Sequence, residues 1–262
     1  MQPTGKFHSS GIELAYFEQK PAQNAPKRNH PVLLVHGFAS NSHINWINTG
    51  WFKCLSERGF HTLSFDNRGH GESEPRHDEK EYGAHLMASD VIALCDHLEI
   101  KAVHLMGYSM GARISAFVAK QTPDRVKTVI FAGMGYNLIR GLGNPEPIAR
   151  ALEAPSIEDV TNPATRNFRV FAEQTNSDLK SLAACIRSTR VPIAKEDIAA
   201  LTLPALVAVG TEDVIAGSGQ DLADIIPGAV HLPIPNRDHM RAVGDKTYQQ
   251  GVLKFLETWD DA

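Results

Sequence analysis

The stretch Ala102-Val103-His104-Leu105-Met106-Gly107-Tyr108-Ser109-Met110-Gly111-Ala112 decides how this chain is read. Residues 102–106 form a strand-like run, and from Met110 onward Ile114, Phe117 and Val118 recur at i, i+4, i+7 and i+8, the spacing of one helix face. A strand that passes so quickly into a helix needs a very tight turn, and Ser109 stands at its apex in the pattern G-x-S-x-G. A serine there is forced into an unfavourable backbone conformation. Glycines two before and two after it remove the Cβ atoms that would clash. The hydroxyl is therefore presented and not packed. The pentapeptide alone is a weak pattern, and the strand before it and the helix after it give it weight.

Working outward, the same rhythm appears on both sides. Pro31 to Val35 is apolar throughout, as expected of a strand covered on both faces, and it ends at His36-Gly37-Phe38. Trp46 to Arg58 reads as a helix closed by Gly59, and Phe60 to Phe65 as a strand opening into the turn-rich loop Asp66-Asn67-Arg68-Gly69-His70-Gly71-Glu72-Ser73. Tyr82 to Glu99 carries Met87, Val91, Leu94, Cys95 and Leu98 on one helical face, and Val126 to Phe131 supplies another strand. Such alternation predicts βαβ units and a parallel sheet. Phe7 to Gln19, broken by Ser10-Gly11, reads as an antiparallel hairpin at the sheet edge.

Seventy residues then separate Gly133 from Leu203, where the next strand begins, which is too long for a plain connection in a compact fold. Within the gap a helix starts at Asn162-Pro163, and another follows Ser177 and Asp178 with Leu179, Leu182, Ala183 and Ile186 on one face. The expected organisation is a core made of residues 1–135 and 201–262, with residues 136–200 as a small helical cap whose helices are too short to bury a core alone. Beyond it, Leu203 to Val209 opens into Gly210-Thr211-Glu212-Asp213. Ala229 to Ile234 ends in Pro235-Asn236-Arg237-Asp238-His239, and Asp245 to Trp259 is amphipathic.

Composition narrows the partners. With 42% hydrophobic and 21% charged residues the 262-residue chain is expected to fold as one globular unit. A formal net charge of −4 argues against a nucleic-acid footprint, so the expected partner is a small molecule. No apolar run reaches the roughly 18 residues of a membrane helix, and Met1 to Gly11 lacks a signal-peptide core, so the expectation is a cytoplasmic protein away from the membrane. Cys54, Cys95 and Cys185 are widely spaced and suit neither a disulfide framework nor a zinc site. No HExxH, paired CxxC or phosphate-cradling glycine loop occurs, so no cofactor or metal is expected. Oligomeric state is not legible.

His36-Gly37-Phe38, Asp66, Ser109, Asp213 and His239 each stand just past a strand-like run, so a parallel sheet would gather them at one edge. The order Ser109, Asp213, His239 together with the HGF segment, the DNRGHGES loop, GYSMG and the cap insertion resembles the α/β-hydrolase family over essentially the whole chain. The resemblance implies an α/β fold, a mostly parallel central sheet flanked by helices. It also implies Ser109 as nucleophile, His239 as base and Asp213 as the acid that orients it, with Glu212 and Asp238 close enough to compete. The oxyanion formed on attack would be held by the N–H groups of Met110 and, by resemblance, Phe38. His36, Asp66, Arg68 and His70 read as structural. The implied activity is a carboxylesterase-like serine hydrolase cleaving a small ester, lactone or related acyl compound through an acyl-enzyme. Alternatives on the same motifs are C–C bond hydrolysis of ring-cleavage products, perhydrolase or acyltransferase chemistry, and a slowly turning-over ligand receptor. Substrate-binding residues lie in the cap and are not legible; Arg140, Arg150, Arg166, Arg169 and Arg187 there read as solvated helix faces, with contact to a substrate carboxylate as the alternative.

Overall fold

The structure is a computed structural model that describes residues 1–260, so the last two residues of the expected 201–262 core segment lie outside the described residues. The chain opens with a hairpin, β1 (Gly5–Ser9) and β2 (Ile12–Gln19). Its turn is Ser10-Gly11 with φ of 50° and 79°, the paired positive values that match strand twist. Then follow β3 (Val32–Val35), α1 (Trp51–Glu57), β4 (Thr62–Phe65), α2 (Ala84–His97), β5 (Val103–Tyr108), α3 (Met110–Gln121) and β6 (Val126–Ala132). Five helices come next: α4 (Asn137–Arg140), α5 (Glu146–Glu153), α6 (Pro163–Gln174), α7 (Leu179–Thr189) and α8 (Lys195–Ala199). The chain ends with β7 (Ala205–Gly210), α9 (Gly219–Ala223), β8 (Val230–Ile234) and α10 (Lys246–Asp260).

The eight strands form one sheet in the order β1-β2-β4-β3-β5-β6-β7-β8. Pairings involving β2 are antiparallel, and those from β4 through β3, β5, β6 and β7 to β8 are parallel. The parallel strands therefore end along one edge. The chain runs from β3 outward to β4 and then returns to the other side of β3 with β5. At this reversal the loops after β3 and β5 diverge to opposite faces, which leaves a crevice between them.

Side chains of β3 show why the strand is apolar throughout. Leu33 and Val35 join a cluster with Met87, Val91 and Leu94 of α2 and Ile114 of α3, while Val32 and Leu34 join Trp51 and Leu55 of α1 and Val252 and Leu256 of α10. With alternate residues on opposite faces and helices on both, no position can be polar without cost. Cys95 and Cys185 are buried free thiols. None of the described helices is long and apolar enough to cross a membrane.

The expected helix from Trp46 to Arg58 is interrupted. A single wide turn over His43–Ile47 precedes Gly50 at φ 85°, and α1 begins only at Trp51. A right-handed helix cannot pass through that backbone conformation, and glycine makes it cheap. The strand expected from Leu203 begins at Ala205. In the inserted segment, Asn162 caps α6 by accepting from the Ala164 and Thr165 N–H groups, and Asp178 caps α7 by accepting from Ser181.

The inserted helices share a small apolar cluster: Ile148, Leu152, Ala172, Leu182 and Ile186, closed by Phe38 and Ala39 from the loop after β3. The segment thus completes its core against the loop that follows β3. Of the five arginines read as solvated, Arg169 is 5% exposed. Its guanidinium donates to the carbonyls of Ala151, Leu152 and Ala154, which the end of α5 leaves without helical partners. Arg187 and Arg150 pair with Glu146, and Arg187 also with Glu153.

Candidate active site

Ser109 sits between β5 and α3 at φ 55° and ψ −111°, a conformation that costs a non-glycine residue on the order of 1–3 kcal/mol. Both flanking glycines are demanded by space. A Cβ on Gly107 would lie 2.2 Å from the Gly111 carbonyl oxygen, and one on Gly111 would lie 2.0 Å from the Val35 carbonyl oxygen of β3. The turn is therefore wedged against the neighbouring strand, and its apex has no choice but to project.

His239, after β8, reaches Ser109 from the far side of β6 and β7. Its Nε2 is 3.0 Å from Ser109 Oγ, and its Nδ1 is 2.7 Å from Asp213 Oδ2. An ionised carboxylate can only accept, so Nδ1 carries the ring proton and Nε2 offers its lone pair to the serine hydroxyl. The Asp213 side chain is fully buried, and its other oxygen accepts from the N–H groups of Ile215 and Ala216 at 2.8 and 2.9 Å. The carboxylate bonded to His239 is that of Asp213, not of either competing acid. Glu212 is exposed, and Asp238 accepts from the Met240 and Arg241 N–H groups in its own turn.

The loop after β3 runs beside Ser109. A Cβ on Gly37 would lie 3.5 Å from Ser109 Cβ, and the Gly37 N–H donates to Asn45 Oδ1 at 2.7 Å, which fixes the loop's path. The N–H groups of Phe38 and Met110 donate to no acceptor among the described residues. They are the two donors the sequence points to for a developing negative charge.

The surrounding polar residues brace this arrangement. His36 is fully buried, with Nδ1 2.8 Å from the Gly37 carbonyl and Nε2 accepting from Asn67 N–H at 2.9 Å. Desolvation lowers its pKa to about 4, so it is neutral near pH 7. His70 is likewise driven to about 3, first by burial and then by neighbouring His36. It packs edge-on to Phe38 at a ring separation of 6.0 Å. Asp66 accepts from the Ser42 and Glu72 N–H groups, and Arg68 makes a two-pronged buried pair with Asp90.

Three contributors are not singled out by the sequence. Tyr108 donates its hydroxyl to the His239 carbonyl at 2.6 Å, tying the histidine loop to the serine turn. It occupies a free position of G-x-S-x-G, so the pattern gives no signal. Asn45 falls in a polar turn with nothing to mark it. Arg113, 1% exposed on α3, donates to the carbonyls of Asn137, Leu138 and Val191, at both ends of the helical insertion.

Comparison with known proteins bears on the fold. The chain is 28% identical over 242 residues to the dihydrolipoyllysine-residue acetyltransferase component of the acetoin cleaving system of Pseudomonas putida, covering 86% of this chain and 63% of that protein. It spans 36% and 30% of the lengths of two further curated relatives. Among solved structures, the enol-lactonase from Burkholderia xenovorans LB400 superposes with a TM-score of 0.78 at 21% identity, covering 97% of this chain and all of that one. A meta-cleavage product hydrolase from Pseudomonas fluorescens IP01 superposes at 0.74 and 19% identity, with 98% of each chain covered. At such identities the likeness is one of fold. The family model described as alpha/beta hydrolase fold matches residues 30–162, half of the chain, and to that family the chain belongs.

Proposed function

We propose that this protein is a serine hydrolase that cleaves a small carboxylic ester or lactone through an acyl-enzyme. The observation that carries the reading is the continuous relay from Asp213 Oδ2 through both ring nitrogens of His239 to Ser109 Oγ, at 2.7 and 3.0 Å. Ser109 is a weak nucleophile while protonated, and His239 Nε2 is placed to take its proton as the oxygen attacks an acyl carbon. Asp213 holds the tautomer and stabilises the imidazolium that forms. The N–H groups of Phe38 and Met110 receive the oxyanion. Collapse expels the alcohol, which takes the proton from His239, and water then attacks the ester of Ser109 by the same route. Residues 136–200 act as the cap over this site, where the substrate's far end is selected.

A fluorophosphonate probe should label the folded protein once, at Ser109, and labelling should vanish in Ser109→Ala with the fold unchanged. A panel of p-nitrophenyl esters of rising acyl length, lactones and a vinylogous β-diketone then assigns the bond cleaved. Absence of labelling at Ser109 sinks the proposal, and turnover of the diketone alone replaces ester cleavage with C–C cleavage.

A further inference from the structure

At the sheet edge opposite Ser109, three metal-ligating side chains from distant parts of the chain meet. His104 in β5 is fully buried, Asp260 at the end of α10 is 1% exposed, and His30 just before β3 is partly exposed. One donor atom from each lies within 4.8 Å of the other two. His104 Nε2 is 3.1 Å and His30 Nδ1 is 3.4 Å from the same oxygen, Asp260 Oδ1. His104 Nε2 and Asp260 Oδ1 are joined by a hydrogen bond as they stand, and because zinc bonds of ~2.0–2.1 Å set neighbouring tetrahedral ligands about 3.3 Å apart, an ion would fit both separations in place of that bond.

His30 Nδ1 is the informative atom. It is buried and makes no hydrogen bond, although the carboxylate is near enough. A buried imidazole nitrogen left unmatched costs free energy, which a metal ion bound there would offset. The other atoms of the set are already fixed. Asp260 Oδ2 accepts from Asn29 N–H at 2.9 Å and Oδ1 from His30 N–H at 3.0 Å. His104 Nδ1 lies 3.0 Å from Thr128 Oγ1, a hydroxyl able to accept the N–H that an imidazole displays when its other nitrogen binds metal.

We propose that His30, His104 and Asp260 form a structural site for a zinc-class divalent cation, with the fourth position open to water on the exposed side of His30. Two imidazoles and one carboxylate favour zinc over magnesium or calcium, which prefer all-oxygen sets. Ser109 lies five positions beyond His104 along and just past β5, about 16 Å at 3.3 Å per residue, so the ion takes no part in chemistry there. Its effect is to fasten the last helix and the entry to β3 onto the central strand. The donors are 74 and 156 residues apart in sequence, which is why no spacing motif announces them.

The test uses the full chain stripped with a chelator and dialysed, titrated with ZnCl2 against a chromophoric competitor, with Tm read in parallel. Native protein should take up one equivalent and rise in Tm, and Co2+ should give the absorption bands of a tetrahedral site. His30→Ala, at a partly exposed position, should fold but lose the equivalent and the Tm rise. Thr128→Val should weaken binding by roughly 10–100-fold. The proposal is overturned if native protein binds no stoichiometric zinc, or if His30→Ala binds it as tightly.

Discussion

Ser109 and Asp213 carry the sharpest predictions at the scale of single residues. Asp213 is fixed by three hydrogen bonds, so replacing it with Asn preserves shape but presents an amide donor to His239 Nδ1. The ring must then adopt the other tautomer, with a proton on Nε2 facing Ser109 Oγ. Asp213→Asn should lower kcat by about 10³–10⁴-fold with near-native stability, measured on whichever p-nitrophenyl ester turns over fastest. A loss below tenfold would remove Asp213 from the relay. Gly111→Ala belongs to the same scale but acts on folding. Its methyl would meet the Val35 carbonyl oxygen at 2.0 Å, backbone that cannot yield without moving β3. The variant should express poorly or melt far below native protein by circular dichroism.

At the scale of elements, the helical insertion is fastened by a cation that pairs with no acid among the described residues. Arg113 donates three hydrogen bonds to carbonyls at both ends of the segment, and burial lowers its pKa only to about 10, so it stays charged at neutral pH. Arg113→Met keeps the volume and removes the donors. It should cost about 3 kcal/mol, from three carbonyls stripped of partners at about 1 kcal/mol each. Amide exchange should quicken around residues 137–142 and 190–193 before anywhere else. Uniform protection loss across the sheet would show that Arg113 serves the core and not the insertion. The existence of the segment was legible from a seventy-residue gap without strands, and two of its helix starts from Asn162 and Asp178. Its attachment was not, because Arg113 sits in an otherwise ordinary helical pattern and the carbonyls it binds have no sequence identity.

At the scale of the molecule, buried neutral histidines set the response to acid. His70 has a folded pKa near 3 against 6.5 unfolded, so below pH 6.5 the unfolded chain binds one more proton and stability falls as pH falls. Between pH 6.5 and 5 this group alone should remove about 2 kcal/mol. His36, near 4, acts with the same sign, and Asp66 and Asp90, whose pKa values burial raises, act with the opposite one. Those groups remain in His70→Leu. Urea denaturation at pH 7.5 and 5 should therefore show the variant losing about 2 kcal/mol less than native protein over the interval. Equal losses would mean that His70 is charged or exposed in the folded chain.

The sequence by itself determined the alternation of strand and helix, the tight turn at Ser109 and the strand ends that carry Asp213 and His239. These rest on local periodicity and on glycines whose absence of a side chain is written in the chain. Only the tertiary structure decided which acid faces His239, that Tyr108 holds the histidine loop, that Arg169 and Arg113 are buried, and that His30, His104 and Asp260 converge. Glu212, Asp213 and Asp238 are chemically near-equivalent in the sequence, and hydrogen-bond geometry between residues from different elements has no local signature.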